Sequence, residues 1–300
     1  MSAPSRKART MGFAMRHASL VNMWMWGGDL ERKNWRRRRK LLCRAPSSAM
    51  RKRLSVRAET FRGRTVWHIG PLDSRSSVRI LYWHGGGFVF GPMSIHWKFI
   101  TRLAHDFGIS FIVPLYPLAP DAQAPEITDF GIALYRSLVA TTGADDLVMA
   151  GDSAGGMLTA VIALLAQDEG IDLPKGLVLI SPGLEAVRRD DPDYPAIRRR
   201  DSMLSDRTID ELRALYAGGL ADDDPRISPI VGDFTNFPPM LMFAGTDDVL
   251  VLESRAFKRK WPQVEYVEEA GLFHCWPIMR LPEAIPAQNR IAQFALSVLP

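Results

Sequence analysis

Leu147-Val148-Met149-Ala150-Gly151-Asp152-Ser153-Ala154-Gly155-Gly156 is the stretch from which the rest of this 300-residue chain is read. Its first four residues are an apolar run of strand length. A helical repeat of apolar positions follows at Leu158, Val161, Ile162, Leu164 and Leu165. Between them stands Gly151-x-Ser153-x-Gly155. The pattern predicts a strand turning sharply into a helix, with Ser153 at the apex in a strained backbone. Glycine is needed two residues before and two after because a Cβ would clash in so tight a turn. The five-residue pattern alone is a weak signal. Its context, strand before and helix after, raises it, and the other parts must come from elsewhere in the chain.

Outward from this turn, the chain alternates strand-like and helix-like segments. Val56 to Phe61 and Thr65 to Ile69 read as a hairpin around Arg62-Gly63. Val78 to Trp83 is a strand leading into His84-Gly85-Gly86-Gly87-Phe88. Ser94 is placed to cap a helix with apolar positions at Trp97, Ile100, Leu103 and Ala104, which leaves His96 and His105 as surface residues. Ser110 to Leu115, Gly176 to Ile180, Met240 to Ala244 and Val264 to Glu268 are further strands. Helices are expected over Thr128 to Val139, Val251 to Trp261 and Pro282 to Val298. Such alternation indicates a mostly parallel sheet covered on both faces. Residues 184–235 break the rhythm. They are charged and Pro-rich and read as an insertion over one end of the sheet.

Ligands of such sheets bind beyond the carboxyl ends of the strands. Gly85 to Gly87, Ser153, Asp247 and His274 all follow strand ends and so fall on one rim. A serine hydroxyl is a weak nucleophile without a base, and the base needs a third group to orient it. Among six histidines, His274 in Gly271-Leu272-Phe273-His274-Cys275-Trp276 is best placed as the base, between the last strand and the last helix. Asp247, directly after the Met240 strand, is the expected orienting acid. Asp248 is its competitor, since side chains one position apart point differently. The N–H groups of Gly86, Gly87 and Ala154 suit an oxyanion. His84 is expected to brace the glycine loop. That loop has neither the Lys-Ser/Thr of a P-loop nor a dinucleotide-binding pattern.

Charge is uneven. Residues 1–64 hold 18 Lys and Arg against 3 Asp and Glu, whereas the whole chain holds 38 against 33. Residues 1–10 read as a flexible start and 11–53 as amphipathic helix with a break at Ala45-Pro46-Ser47-Ser48. The basic run Arg36 to Lys40 has no nucleic-acid-binding motif beside it, so a nucleic-acid partner is not expected. A basic arm meeting an anionic surface and a basic cap on an acidic body are both compatible with this asymmetry. Met11 to Trp26 is broken by Arg16 and His17 and lacks a cleavage site. No run reaches the ~20 apolar residues that span a membrane. Cys43 and Cys275 match no metal-ligand spacing and fit a reducing compartment. The expectation is a cytoplasmic protein, with peripheral membrane contact through the arm left open.

In these motifs the sequence resembles the hormone-sensitive-lipase branch of the α/β-hydrolase family. The likeness rests on His84-Gly85-Gly86-Gly87-Phe88, Tyr116-Pro117-Leu118-Ala119-Pro120-Asp121, Gly151-Asp152-Ser153-Ala154-Gly155-Gly156, the Asp247 turn and the His274 loop. It implies an α/β-hydrolase fold: a mostly parallel eight-stranded sheet with helices on both faces and a helical cap. Residues 1–55 would form a basic helical cap or arm, and 56–300 the catalytic domain with the cap insertion at 184–235. It further implies a serine carboxylesterase acting on small-molecule esters through an acyl-enzyme, with Ser153, Asp247 and His274 catalytic, Gly86, Gly87 and Ala154 as oxyanion donors, and no metal or cofactor. Lactone or amide hydrolysis, acyl transfer, or a non-catalytic receptor on the same scaffold are the alternatives, and a homodimer is compatible. Two departures stand out. The family often has Pro where Asp248 stands, and Pro117 replaces its usual arginine. Met23, Trp24, Met25, Trp26 and Trp35 suggest an adaptable apolar pocket wall.

Overall fold

The computed structural model describes residues 3–17, 35–72, 78–187 and 190–298. Eight strands form one sheet: β1 (Leu54–Phe61), β2 (Arg64–Pro71), β3 (Arg79–Trp83), β4 (Ser110–Pro114), β5 (Leu147–Asp152), β6 (Gly176–Ile180), β7 (Met240–Gly245) and β8 (Glu265–Glu269), in the order β1-β2-β4-β3-β5-β6-β7-β8. The first two pairings, β1 with β2 and β2 with β4, are antiparallel. The rest are parallel. The β1–β2 hairpin turns at Arg62 and Gly63, both at positive φ (45° and 74°), and Phe61 pairs with Arg64.

The helices are α1 (Arg6–His17), α2 (Trp35–Leu42), α3 (Ser48–Arg51), α4 (Ser94–Phe107), α5 (Ala124–Thr142), α6 (Ala154–Asp168), α7 (Tyr194–Arg200), α8 (Asp206–Ala217), α9 (Val251–Lys260) and α10 (Ala284–Ser297). The central strands are apolar on both faces because both are covered. Leu81, Met149, Leu177, Leu179 and Met242 point into a core shared with α5, α6 and α9. Their neighbours Ile80, Val148, Val178, Leu241 and Phe243 point the other way, into a core shared with α4 and α10. Burying each such side chain contributes about 1.5–3 kcal/mol. This double-sided burial fixes the height of the strand ends, and so the height of every loop on the rim.

Two local expectations are revised. Ser94 does not cap α4. It is the first residue of the helix, and Met93 takes the cap position. The Met93 N–H donates instead to His96 Nδ1 at 2.9 Å. Residues 6–10 are helical and not a loose start. Ser5 Oγ accepts from Ala8 N–H (3.1 Å), the Ser5 N–H donates to Glu283 Oε1 (2.5 Å), and Ala8 is buried against the body. Further on, Arg39 of α2 donates to the carbonyls of Val89 and Ala119 and to Asp121, the last at 2.9 Å. Met23, Trp24, Met25 and Trp26 lie outside the described residues, as does the side chain of Trp35.

Candidate active site

Strand β5 ends at Asp152, and Ser153 follows at φ 55°, ψ −121° before α6 begins. A non-glycine residue held there costs about 1–3 kcal/mol of local strain. The surroundings hold it. The Ser153 N–H donates to Ile180 O (2.8 Å), and its carbonyl accepts from Met157 N–H (3.0 Å). A Cβ on Gly151 would lie 2.1 Å from Gly155 O, and one on Gly155 would lie 1.9 Å from Trp83 O. The two glycines are therefore dictated by backbone contact, the reason inferred from the pattern.

The loop after β8 brings His274 to this serine. Its Nε2 lies 2.9 Å from Ser153 Oγ. The loop is pinned from three sides: Gly271 N–H donates to Thr246 Oγ1 (2.7 Å), Asp247 N–H to Leu272 O (3.0 Å), and Cys275 N–H to Ser181 Oγ (3.0 Å). The Cys275 thiol beside it is pushed up to about 12 by burial and so stays protonated.

The acid is a correction. Asp247, expected to orient the imidazole, does not reach it. Its Oδ1 accepts from Arg200 Nε of α7 at 2.8 Å. Asp248 meets the histidine instead, with His274 Nδ1 2.8 Å from its Oδ2. Its other oxygen accepts from Leu250 N–H (3.0 Å). Successive side chains leave the turn in opposite directions, so only one can face inward; Asp248 is fully buried, while Asp247 is partly exposed. Burial opposes charge on His274, but the Asp248 carboxylate more than offsets it and carries the imidazole well above its ordinary pKa.

The glycine loop stands on the other side of the serine. Gly86 (φ 120°) and Gly87 (φ 61°) adopt backbone conformations that L side chains rarely take. Among the described residues, the N–H groups of Gly86, Gly87 and Ala154 have no hydrogen-bond partner. Gly85 is different, because its N–H donates to Asp152 Oδ1 (2.9 Å). His84 sits behind the loop. Its Nδ1 lies 2.9 Å from Gly85 O, its ring stacks on Tyr116 at 4.3 Å, and burial lowers its pKa to about 3. It is a neutral brace and not a base.

Sequence reasoning missed a buried cluster under this loop. His96, expected on the surface, is 1% exposed, and its Nε2 lies 3.3 Å from Asp152 Oδ2. Because Nδ1 accepts from Met93 N–H, the proton faces Asp152. Tyr82 OH donates to Asp152 Oδ1 at 2.5 Å. Burial alone would lift the Asp152 carboxyl, but His96, Tyr82 and Gly85 together hold it down at about 2. One carboxylate beside Ser153 thus grips the glycine loop at Gly85 and, through His96, at Met93. The signal was present: positions 96, 100, 103 and 107 fall on one helical stripe.

Ser153 opens into a cavity of about 470 Å³ lined by Gly87, Phe88, Ala154, Met157, Leu204, Ile209, Leu212, Tyr216, Ile227 and Leu250, with Asp210, Arg213 and Asp222 as polar members. Phe88 and Tyr216 stack at 3.6 Å. Arg213 is held by the buried Glu253 at 2.5 Å, which also accepts from the N–H groups of Leu184 and Glu185. Most of the lining beyond the serine comes from the segment between β6 and β7, the residues that interrupted the alternation.

Comparison with known proteins agrees with this architecture. A family model described as alpha/beta hydrolase fold matches residues 80–278. An esterase of Acinetobacter venetianus is 31% identical over 230 residues, 73% of this chain and 75% of that protein. An ethyl acetate hydrolase of Pseudomonas putida is 32% identical, over 66% of this chain and 62% of its own length. Among solved structures, an esterase from the bacterial hormone-sensitive lipase family superposes with a TM-score of 0.84 at 23% identity, covering 100% of both chains.

Proposed function

This chain belongs to the α/β-hydrolase fold family and is a carboxylic ester hydrolase of the hormone-sensitive-lipase-like kind; on that premise we propose that it is a serine esterase working through Ser153, His274 and Asp248. The observation that carries the proposal is the unbroken hydrogen-bonded line from Asp248 through His274 to Ser153, at 2.8 and 2.9 Å. Ser153 Oγ attacks the acyl carbon while His274 Nε2 accepts its proton. The oxyanion is received by the N–H groups of Gly86, Gly87 and Ala154, each worth about 3 kcal/mol in such sites. His274 then gives the proton to the leaving alcohol, and the acyl-enzyme forms. Water, deprotonated by the same imidazole, releases the acid. Asp248 keeps the Nδ1 proton facing it and stabilises the transient imidazolium.

The same reading assigns residues 184–235 to a cap that sets the substrate, with the helical segment within 1–55 closing over the body. The cavity is apolar and of moderate volume, which suits esters with a short or compact hydrophobic acyl group. The relative named ethyl acetate hydrolase points the same way. No helix among the described residues is long and apolar enough to cross a membrane. The contacts of Ser5, Ala8 and Arg39 with the body favour a cap role for the N-terminal segment over a free arm. The test of the reading is turnover of p-nitrophenyl acetate and butyrate by Ser153→Ala. Loss of at least about 10³-fold is expected with the fold intact; wild-type rates would remove the mechanism.

A further inference from the structure

A second buried carboxylate is bound to the residue that follows Asp248. Asp201 lies in the loop between α7 and α8 and is 6% exposed. Its Oδ1 accepts from the N–H groups of Met203 and Leu204, both at 2.8 Å. Its Oδ2 accepts from Val249 N–H at 3.0 Å. Val249 is the residue after Asp248. The other N–H groups of that turn are used locally or by the histidine loop. Asp248 N–H donates to Gly245 O, Val251 N–H to Asp248 O and Asp247 N–H to Leu272 O, and Leu250 N–H serves Asp248 Oδ1. The Val249 N–H is thus a buried tie from the acid turn to the cap insertion, one residue from Asp248, while Glu253 makes a second, further along α9, to Leu184, Glu185 and Arg213. The neighbouring Arg200–Asp247 pair joins the same two segments, but Arg200 is exposed and such pairs contribute little.

Two buried ionisable carboxyl groups, one hydrogen-bonded to the residue after the other, are an expensive arrangement for stability alone. Burial, and then the proximity of Asp248, push the Asp201 pKa up to about 6 against the pull of three N–H donors. An amide would satisfy much of the same hydrogen bonding without a second negative charge. Leu204 and Leu250, each next to one end of the clamp, both line the substrate cavity.

We propose that Asp201 is a positioning residue for the triad acid: it locks the Val249 N–H to the seated cap segment 201–205, and so holds the Asp248 carboxylate in register with His274. The cap then does more than shape the cavity. Its seating sets the catalytic acid, so the part of the chain that meets the acyl group also governs the chemical step. This rests on the reading of Asp248 as the orienting acid.

The test is a double-mutant cycle on kcat and KM for a p-nitrophenyl ester, with Asp201→Asn made in the wild-type and in the Asp248→Asn background. Asn preserves the side-chain volume but cannot accept at both oxygens. The expected result is a loss of about 10- to 100-fold in kcat with KM changed less than about threefold in the wild-type background, and less than about threefold further loss once Asp248 is Asn. An equal fold-loss in both backgrounds, or an effect confined to KM, would overturn the proposal and leave Asp201 a cap-folding residue. Full activity in Asp248→Asn by itself would instead overturn the acid assignment, and this proposal with it. If Asp201→Asn does not fold, replacing Val249 by its α-hydroxy acid (a backbone amide-to-ester substitution) removes the donated N–H and keeps the buried side chain and the conformation of Asp248. The same kcat loss supports the clamp, and wild-type kcat refutes it.

Discussion

His274 Nδ1 lies 2.8 Å from Asp248 Oδ2. The neighbouring Asp247 is turned outward to Arg200, so one peptide unit separates a buried partner of the imidazole from a solvent-facing ion pair. Replacing each by Asn separates the two roles. Asp248→Asn should lower kcat by about 10³- to 10⁴-fold, because the imidazole loses both its orientation and its counter-charge. Asp247→Asn should stay within about threefold of wild type, since a partly exposed pair contributes little. Steady-state kinetics on one p-nitrophenyl ester check both.

The pH profile follows from the same contact. Only the neutral imidazole can accept the Ser153 proton, so activity rises as pH climbs through the His274 pKa. Asp248 more than reverses the effect of burial and carries that pKa above the ordinary value of 6.5. The acidic limb of kcat/KM should therefore lie above pH 6.5 and move to lower pH in Asp248→Asn. An acidic limb below pH 6 in the wild type would contradict the geometry.

His96→Ala should destabilise the protein by about 3 kcal/mol. It takes one donor from a fully buried carboxylate, strands the Met93 N–H and leaves a void under the glycine loop. Urea unfolding of the two proteins measures it directly. A change below about 1 kcal/mol would mean that Asp152 is adequately held by Tyr82 and Gly85 alone.

Much of the rim was legible in the sequence for a physical reason. Gly151 and Gly155 stand where any Cβ would enter backbone atoms, and that trace, weak alone, becomes readable between an apolar strand and a helical repeat. The strand runs were equally plain, because burial on two faces demands continuous apolar residues. The choice between Asp247 and Asp248 was not legible. It depends on how one turn twists, and both residues are aspartate. His96 was misread because the helix was given too narrow an apolar face. Asp201 left no trace at all, since its partner Val249 is 48 residues away and the insertion has no periodicity linking them.

Leu212 tests the substrate reading. It lies against Gly87, where a Cβ would come within 2.5 Å of its Cδ1, and it also lines the cavity. Leu212→Ala should widen the acyl site and raise the ratio of kcat/KM for octanoyl over acetyl esters about 10-fold. An unchanged ratio would place the acyl group elsewhere.

Everything in the proposed mechanism depends on Ser153 being the residue that the substrate acylates. Intact-protein mass spectrometry after treatment with a fluorophosphonate, followed by peptide mapping, addresses it most directly. One adduct per chain is expected on Ser153, none in Ser153→Ala, and much slower formation in Asp248→Asn than in Asp247→Asn. An adduct on another residue, or none in a protein that still turns over ester, would contradict it.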